Sequence, residues 1–234
     1  ADLGCTGNPW IKTPNIDAFY SDSCRFTDFH VSPLCTPTRG AIMSGKRPIR
    51  NGAWATCWGR SILRKTETTM ADVFAQNGYR TGMFGKWHLG VNEYAPEGHG
   101  FDVAVAPPHS GMPKSYFWPQ WDGKPDMEGR FEGEYLTDRL AEEACNFIDK
   151  NSDKPFFLYL AYNAPHWPLH AKEEDVRKFV GKYECGWDEL RKQRFERMVK
   201  MGLIKREWGI SPRDKGARAW EKLTDEQKTQ LDYR

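Results

Sequence analysis

At 234 residues, with 39% hydrophobic content and ten Trp, thirteen Phe and nine Tyr, the chain can bury the core of one large domain or be a piece of something larger. Its 34 basic and 32 acidic residues leave a net charge of +2, which gives no case for nucleic acid or an anionic membrane, and no apolar run approaches spanning length. Cysteines at 5, 24, 35, 57, 145 and 185 include no C-x-x-C pair, so neither a zinc knuckle nor a thioredoxin-like site is indicated; the even count establishes no disulfide framework.

The chain opens Ala1-Asp2-Leu3-Gly4, without initiator Met or apolar leader, and is expected to start in mid-domain. Thr13-Pro14 predicts a helix through residue 20, with Thr as cap and Pro at the first helical position. Residues 24–31 alternate and are β-rich, which predicts a strand, and a helical segment over 37–44 follows, ended by Gly45. A cysteine between a strand and a helix N-terminus lies beside unpaired N–H groups, where an anion is favoured. An amphipathic helix is predicted over 68–77, closed by Gly78, and a strand over 79–84 that delivers Gly85-Lys86-Trp87-His88-Leu89-Gly90.

Residues 107–129, rich in Pro, Gly and aromatics including Trp118 and Trp121, read as a long surface loop. Such tryptophans serve either as packing or as a sugar platform. Over 134–150, Leu136, Leu140, Ala144, Phe147 and Ile148 share one helical face. The continuous apolar run 155–162 predicts a strand buried on both faces, ending at Asn163-Ala164-Pro165-His166-Trp167-Pro168. From residue 172 the chain is charged, with helices expected around 188–201 and 224–231. Alternating strands and helices predict an α/β sandwich with a mainly parallel sheet flanked by helices. Ligands gather at the carboxyl ends of such strands, and three predicted strands deliver Cys35, Lys86 with His88, and His166 there.

The most specific segment is Cys35-Thr36-Pro37-Thr38-Arg39, a pattern expected by composition in roughly one chain per hundred of this length. It resembles the signature of the type I sulfatases, members of the alkaline-phosphatase-like superfamily, whose cysteine is oxidised to formylglycine. Three further blocks in order strengthen the resemblance. Residues 2–9 with 11–17 look like the opening of bacterial arylsulfatases, residues 85–90 with 100–102 are similar to the second signature, and residues 155–166 resemble the third.

Cleaving a sulfate ester needs a nucleophile, cations for the sulfate oxygens and a proton donor for the leaving alcohol. Arg39 stands one helical turn from Cys35, and Lys86 and His88, at alternate positions, point to the same side. The resemblance implies roles for each. Cys35, as formylglycine, attacks sulfur and binds the metal, while Arg39 orients and stabilises it. Lys86 contacts the sulfate, and His88 assists sulfate release by taking a proton from the second hydroxyl. His166 hydrogen-bonds the bridging oxygen and helps protonate the leaving group. The bland alternatives are an inert packed thiol at Cys35 and ordinary loop residues at Lys86, His88 and His166. His30, His99, His109 and His170 keep that bland reading.

The resemblance also implies calcium (or magnesium) held by an Asp-Asp pair and a later Asp-Asn pair, which should precede Ala1 and follow Arg234; Asp2 matches neither. A hard cation needs about six or more oxygen ligands, and Cys35 alone cannot hold one. Residues 1–234 therefore read as part of a sulfatase catalytic domain, truncated at both ends and expected to be inactive in isolation, with a loop at about 107–130. Expected partners are an aryl sulfate or sulfated carbohydrate and, during maturation, a formylglycine-generating enzyme; no nucleic acid or membrane is expected. Export to the periplasm or beyond is the commoner arrangement in the family. Two alternatives stay open, a phosphoester or phosphonate monoester hydrolase of the same superfamily and a noncatalytic sulfated-glycan binder. A Cys-x5-Arg phosphatase is excluded because Ala41 holds the arginine position.

Overall fold

Two of the predicted strands pair directly. β1 (Arg80–Gly85) runs parallel to β3 (Phe156–Ala161), Gly82 opposite Leu158 and Phe84 opposite Leu160, and on its other edge to β2 (Val103–Val105), Met83 opposite Ala104. The result, in a computed structural model that describes residues 3–26, 28–57, 59–105, 111–121 and 127–233, is a parallel sheet of order β2-β1-β3. Successive side chains of a strand point to opposite faces. Met83, Phe157 and Tyr159 accordingly join a core with Met43, Ala71, Leu89 and Phe101, whereas Phe84, Phe156, Leu158 and Leu160 join a second core on the other face.

Helices complete both layers. The first core takes Met43 from α2 (Cys35–Ser44) and Ala71 from α4 (Met70–Gln76), with the single turn α3 (Pro48–Asn51) between them in sequence. Thr69 caps α4 reciprocally: its Oγ1 accepts from the Asp72 N–H (3.2 Å) and its own N–H donates to the Asp72 carboxylate (2.8 Å). The second core is roofed by α5 (Leu136–Lys150), whose Leu136, Leu140, Ala144 and Phe147 are buried while Ile148 faces solvent. Burying four such side chains contributes several kcal/mol, at about 1.5–3 each for the larger ones.

Three expectations are corrected. Residues 24–31 form no strand among the described positions (Thr27 lies outside them), and Phe26, Phe29 and Val31 are exposed. A strand is stabilised by its ladder, and no described strand pairs with this segment, so β propensity alone does not order it. Cys35 is thus presented by a coil-to-helix junction, and only two of the three predicted strand ends exist. β3 is half-buried rather than sealed on both faces, because one of its edges has no partner strand among the described residues. Finally, the described parts of 107–129 are not simply surface: Tyr116, Trp121 and Met127 are buried in the second core, and Trp121 Nε1 donates to the Met127 carbonyl at 2.9 Å. Their apolar bulk outweighs the Pro/Gly signal for an exposed loop. Asp2 and His109 lie outside the described residues.

The chain divides into two compact units, His30–His170, which holds the sheet, and Ala1–Phe29 with Ala171–Arg234. The second unit includes the helices α1 (Pro14–Ser21), the turn α6 (Glu173–Val176), α7 (Gly186–Lys200) and α8 (Asp225–Tyr233). Thr13 does not cap α1 through its side chain; its hydroxyl donates instead to Asp17 Oδ1 at 2.7 Å. Edge-to-face rings, Trp10 on Tyr183 (5.2 Å) and Trp187 on Trp220 (4.9 Å), join its segments. No helix among the described residues is long and apolar enough to cross a membrane.

Candidate active site

Cys35 is the first residue of α2. Leu34, at the N-cap, offers no side-chain acceptor, and Pro37 has no N–H, so no N-cap side chain covers the positive end of the first turn. The second residue, Thr36, ties this turn down: its Oγ1 donates to the His88 carbonyl (2.9 Å) and accepts from the Cys57 N–H (2.9 Å).

The other half of the site leaves the end of β1. Gly85, at φ +105°, sits so close to β3 that a Cβ would lie 2.1 Å from the Ala161 carbonyl oxygen, so only glycine lets the strands stay paired here. The Lys86 N–H then donates to that same oxygen at 2.7 Å. Arg39 Nη1 donates to the Lys86 carbonyl (2.5 Å) and to Tyr159 Oη (3.2 Å). The i,i+4 spacing thus does bring Arg39 to the site, but its hydrogen bonds brace the backbone that carries Lys86. Trp87 turns into the core, and Lys86 and His88 flank it. His88 closes the arrangement with its Nδ1 3.2 Å from Cys35 Sγ. Its backbone is left-handed, at φ +57°, a conformation that costs a non-glycine residue of order 1–3 kcal/mol.

Electrostatics favour an anion. Lys86 is 4% exposed and His88 7% exposed. Burial lowers the Lys86 ammonium below its ordinary range; the Cys35 sulfur opposes that shift and Arg39 adds to it. Burial, then Lys86, Arg39 and His166, push His88 down to about 4, so its imidazole is neutral at pH 7. No carboxylate contributes to either shift. Two cations and a neutral imidazole therefore stand around the position-35 side chain, with no carboxylate among the described residues acting on Lys86 or His88.

His166 is half-exposed at the other strand exit. Its N–H donates to the Asn163 carbonyl (3.0 Å), its own carbonyl accepts from Tyr116 Oη (2.9 Å), and its Nδ1 lies 2.8 Å from the Trp167 carbonyl oxygen. It is near enough to His88 to lower that residue's basicity. Cys35, Arg39, Lys86 and His88 are joined by direct contacts, and His166 by proximity.

Sequence reading missed four participants. Thr36 and Tyr159 are ordinary motif and strand residues until their partners are known. Gly111 packs on His88 so closely that a Cβ would fall 2.3 Å from Nδ1. Asn163, 4% exposed, has neither amide atom hydrogen-bonded among the described residues. Among the bland histidines, His99 is buried beside Trp87 (5.7 Å between rings) with both ring nitrogens unpartnered among the described residues, and the His170 ring packs on Tyr116 and Phe117.

Residues 1–225 match the sulfatase family. The chain belongs to that family. It is 30% identical to an arylsulfatase of Klebsiella aerogenes over 238 residues, 93% of this chain and 51% of that one. Among solved structures it resembles Ps i-CgsB in complex with k-i-k-neocarrahexaose (35% identity, TM-score 0.63, covering 76% of this chain and 45% of that one). It also resembles BT4656 in complex with its substrate D-glucosamine-2-N,6-O-disulfate (29% identity, TM-score 0.61, 77% and 35%). This sulfatase chain spans about half the length of the relatives it matches, or less. The family implies a formylglycine and a divalent metal. The first fits: Cys35 is half-buried at a helix N-terminus with His88, Lys86 and Arg39 around it. The second does not fit the described residues, among which no group of three or more His, Cys, Asp or Glu could hold a metal.

Proposed function

We propose that the protein is a sulfuric ester hydrolase whose nucleophile is the position-35 side chain after oxidation to formylglycine. The observation that carries this is the 3.2 Å approach of Cys35 to a His88 held neutral among cations. Once hydrated by water, the aldehyde carries two geminal hydroxyls: one attacks sulfur as the S–O bond to the alcohol breaks, and the second loses its proton so that the carbon expels sulfate and the aldehyde re-forms. A neutral His88 can take a proton at Nδ1 from a group at position 35, which an imidazolium could not do. Lys86 meets the sulfate oxygens with its ammonium, and the N-terminal turn of α2 adds its dipole. Arg39 holds the Lys86 carbonyl and adds positive charge beside the oxidised side chain. His166, open to solvent, faces the leaving alcohol and protonates it.

The metal we assign as calcium, with the oxidised position-35 side chain as one ligand and the others beyond the described residues, and residues 1–234 as part of one catalytic domain. The two sugar-bound neighbours support sulfated carbohydrate as a substrate class beside aryl sulfates.

Two measurements on the full-length protein, produced with a formylglycine-generating enzyme, test this reading. The tryptic peptide bearing Cys35 should lose mass on conversion, and 4-nitrophenyl sulfate should be turned over faster than 4-nitrophenyl phosphate. A retained thiol with sulfated-glycan binding but no turnover identifies a binder, and faster phosphate release identifies a phosphoester hydrolase.

A further inference from the structure

Resting on that reading, we propose that Thr36 is a positioning residue for the sulfate-release step, because its hydroxyl fixes the backbone that carries His88. The step moves one proton and breaks one bond. The free hydroxyl on the sulfate-bearing carbon of position 35 gives its proton to His88 Nδ1, and its oxygen becomes the aldehyde oxygen. The C–O bond to sulfate breaks, and its electron pair leaves on the sulfate. That transfer needs the imidazole within hydrogen-bond reach of position 35, and Nδ1 lies 3.2 Å from Cys35 Sγ.

His88 holds that place at a conformational cost. Its φ of +57° is left-handed, and a non-glycine residue persists there only when its surroundings over-determine it. The segment around it is tied at three points. Arg39 Nη1 donates to the Lys86 carbonyl, Trp87 Nε1 to the Tyr94 carbonyl (2.9 Å), and the Leu63 N–H to the Leu89 carbonyl (2.9 Å). None of these three acts on the His88 carbonyl. Thr36 Oγ1 does, at 2.9 Å. That carbonyl belongs to the peptide unit after His88, so holding it fixes ψ and stops the residue relaxing to the right-handed region.

A tie of the helix start alone is the competing role, and the bonding argues against it. A capping hydroxyl accepts an N–H of its own first turn. Thr36 accepts instead from the Cys57 N–H at 2.9 Å and gives its own proton to His88, partners 21 and 52 residues away. With one proton to give, the hydroxyl is oriented by the Cys57 bond so that this proton meets His88. The residue is fully buried (0% exposed), so water does not replace either bond. Thr36 also adjoins Cys35 in α2, which couples the base directly to the turn that bears the nucleophile.

The experiment uses the matured full-length protein as wild type, Thr36→Ser, Thr36→Val and Thr36→Ala. Position 36 lies in the segment that is modified, so conversion at Cys35 is measured by peptide mass and rates are expressed per converted molecule. Stopped-flow assay of 4-nitrophenyl sulfate separates the burst of 4-nitrophenol, which reports S–O cleavage, from the slow phase, which reports sulfate release. In Thr36→Val, which keeps the shape without the hydroxyl, the slow phase should fall by about tenfold to a hundredfold while the burst rate stays within about twofold. Protein quenched during turnover should then carry one added SO3 at position 35, and Thr36→Ser should restore most of the slow rate. Thr36→Ala carries the same comparison if Thr36→Val does not fold. Wild-type kinetics in Thr36→Val, equal falls in both phases, Ser no better than Val, or loss of the fold in both Val and Ala would each overturn the proposal. Wild-type protein that releases neither 4-nitrophenol nor sulfate sinks the underlying hydrolase reading instead.

Discussion

The two compact units are built on different physics. Among the described residues every buried hydrophobic side chain except Ala219 belongs to His30–His170. The other unit leaves Phe19 75% exposed, with Ile16, Val180 and Trp208 also in water, and relies on ring contacts and on ion pairs such as Arg206 with Glu196 and Arg213 with Asp188. Exposed pairs of that kind add little stability. Dense burial is also what the candidate site uses: it desolvates Lys86 and His88, and it fixes the Arg39 and Thr36 hydrogen bonds that aim them. The difference teaches that chemistry here was placed where the backbone is least free to move.

That contrast can be broken in order of effect. Cys35→Ala in the full-length protein should lower sulfate release by about 10⁴-fold or more, measured with 4-nitrophenyl sulfate, with little change in melting temperature. Wild-type-like turnover would remove position 35 from the chemistry. Leu140→Ala, under α5, should cost about 2–5 kcal/mol in urea unfolding. A loss below 1 kcal/mol would mean that the second core is not what holds the sheet.

Gly111→Ala places a methyl against the His88 ring at φ +79°, and kcat should drop by about 10²-fold while the fold survives. An unchanged kcat would show that the ring is not held from that side. Acid should act on the same imidazole. Because His88 falls from an ordinary 6.5 to about 4 on folding, the unfolded chain binds the extra proton between those values. Its contribution to stability is therefore full above pH 6.5 and is lost as the pH falls toward 4. Urea midpoints across that window should slope upward with pH, less so in His88→Gln, and equal slopes would contradict the assignment. At the small end, Val180→Ala in the other unit should change stability by less than about 0.5 kcal/mol. A larger loss would reveal burial that the exposed setting does not predict.

Local signals were legible where they were also sufficient. The Gly45 and Gly78 stops, the α5 stripe and the apolar run of β3 follow from spacing and turn chemistry, and structure moves their boundaries by a residue or two. Residues 24–31 misled because alternation states a preference for a strand without providing a neighbour. Trp121 misled because a Pro- and Gly-rich context says nothing about which side chains a fold later covers.

By itself, the sequence determined the family, the oxidisable cysteine and the order of the cationic residues, since those are properties of motif and spacing. Only the tertiary structure decided that Arg39 braces Lys86, that His88 is neutral, that Gly111 backs its ring, and which indoles meet solvent. Each of these depends on contacts between residues about 20 to 120 positions apart, or on removal from water, and no local pattern encodes either.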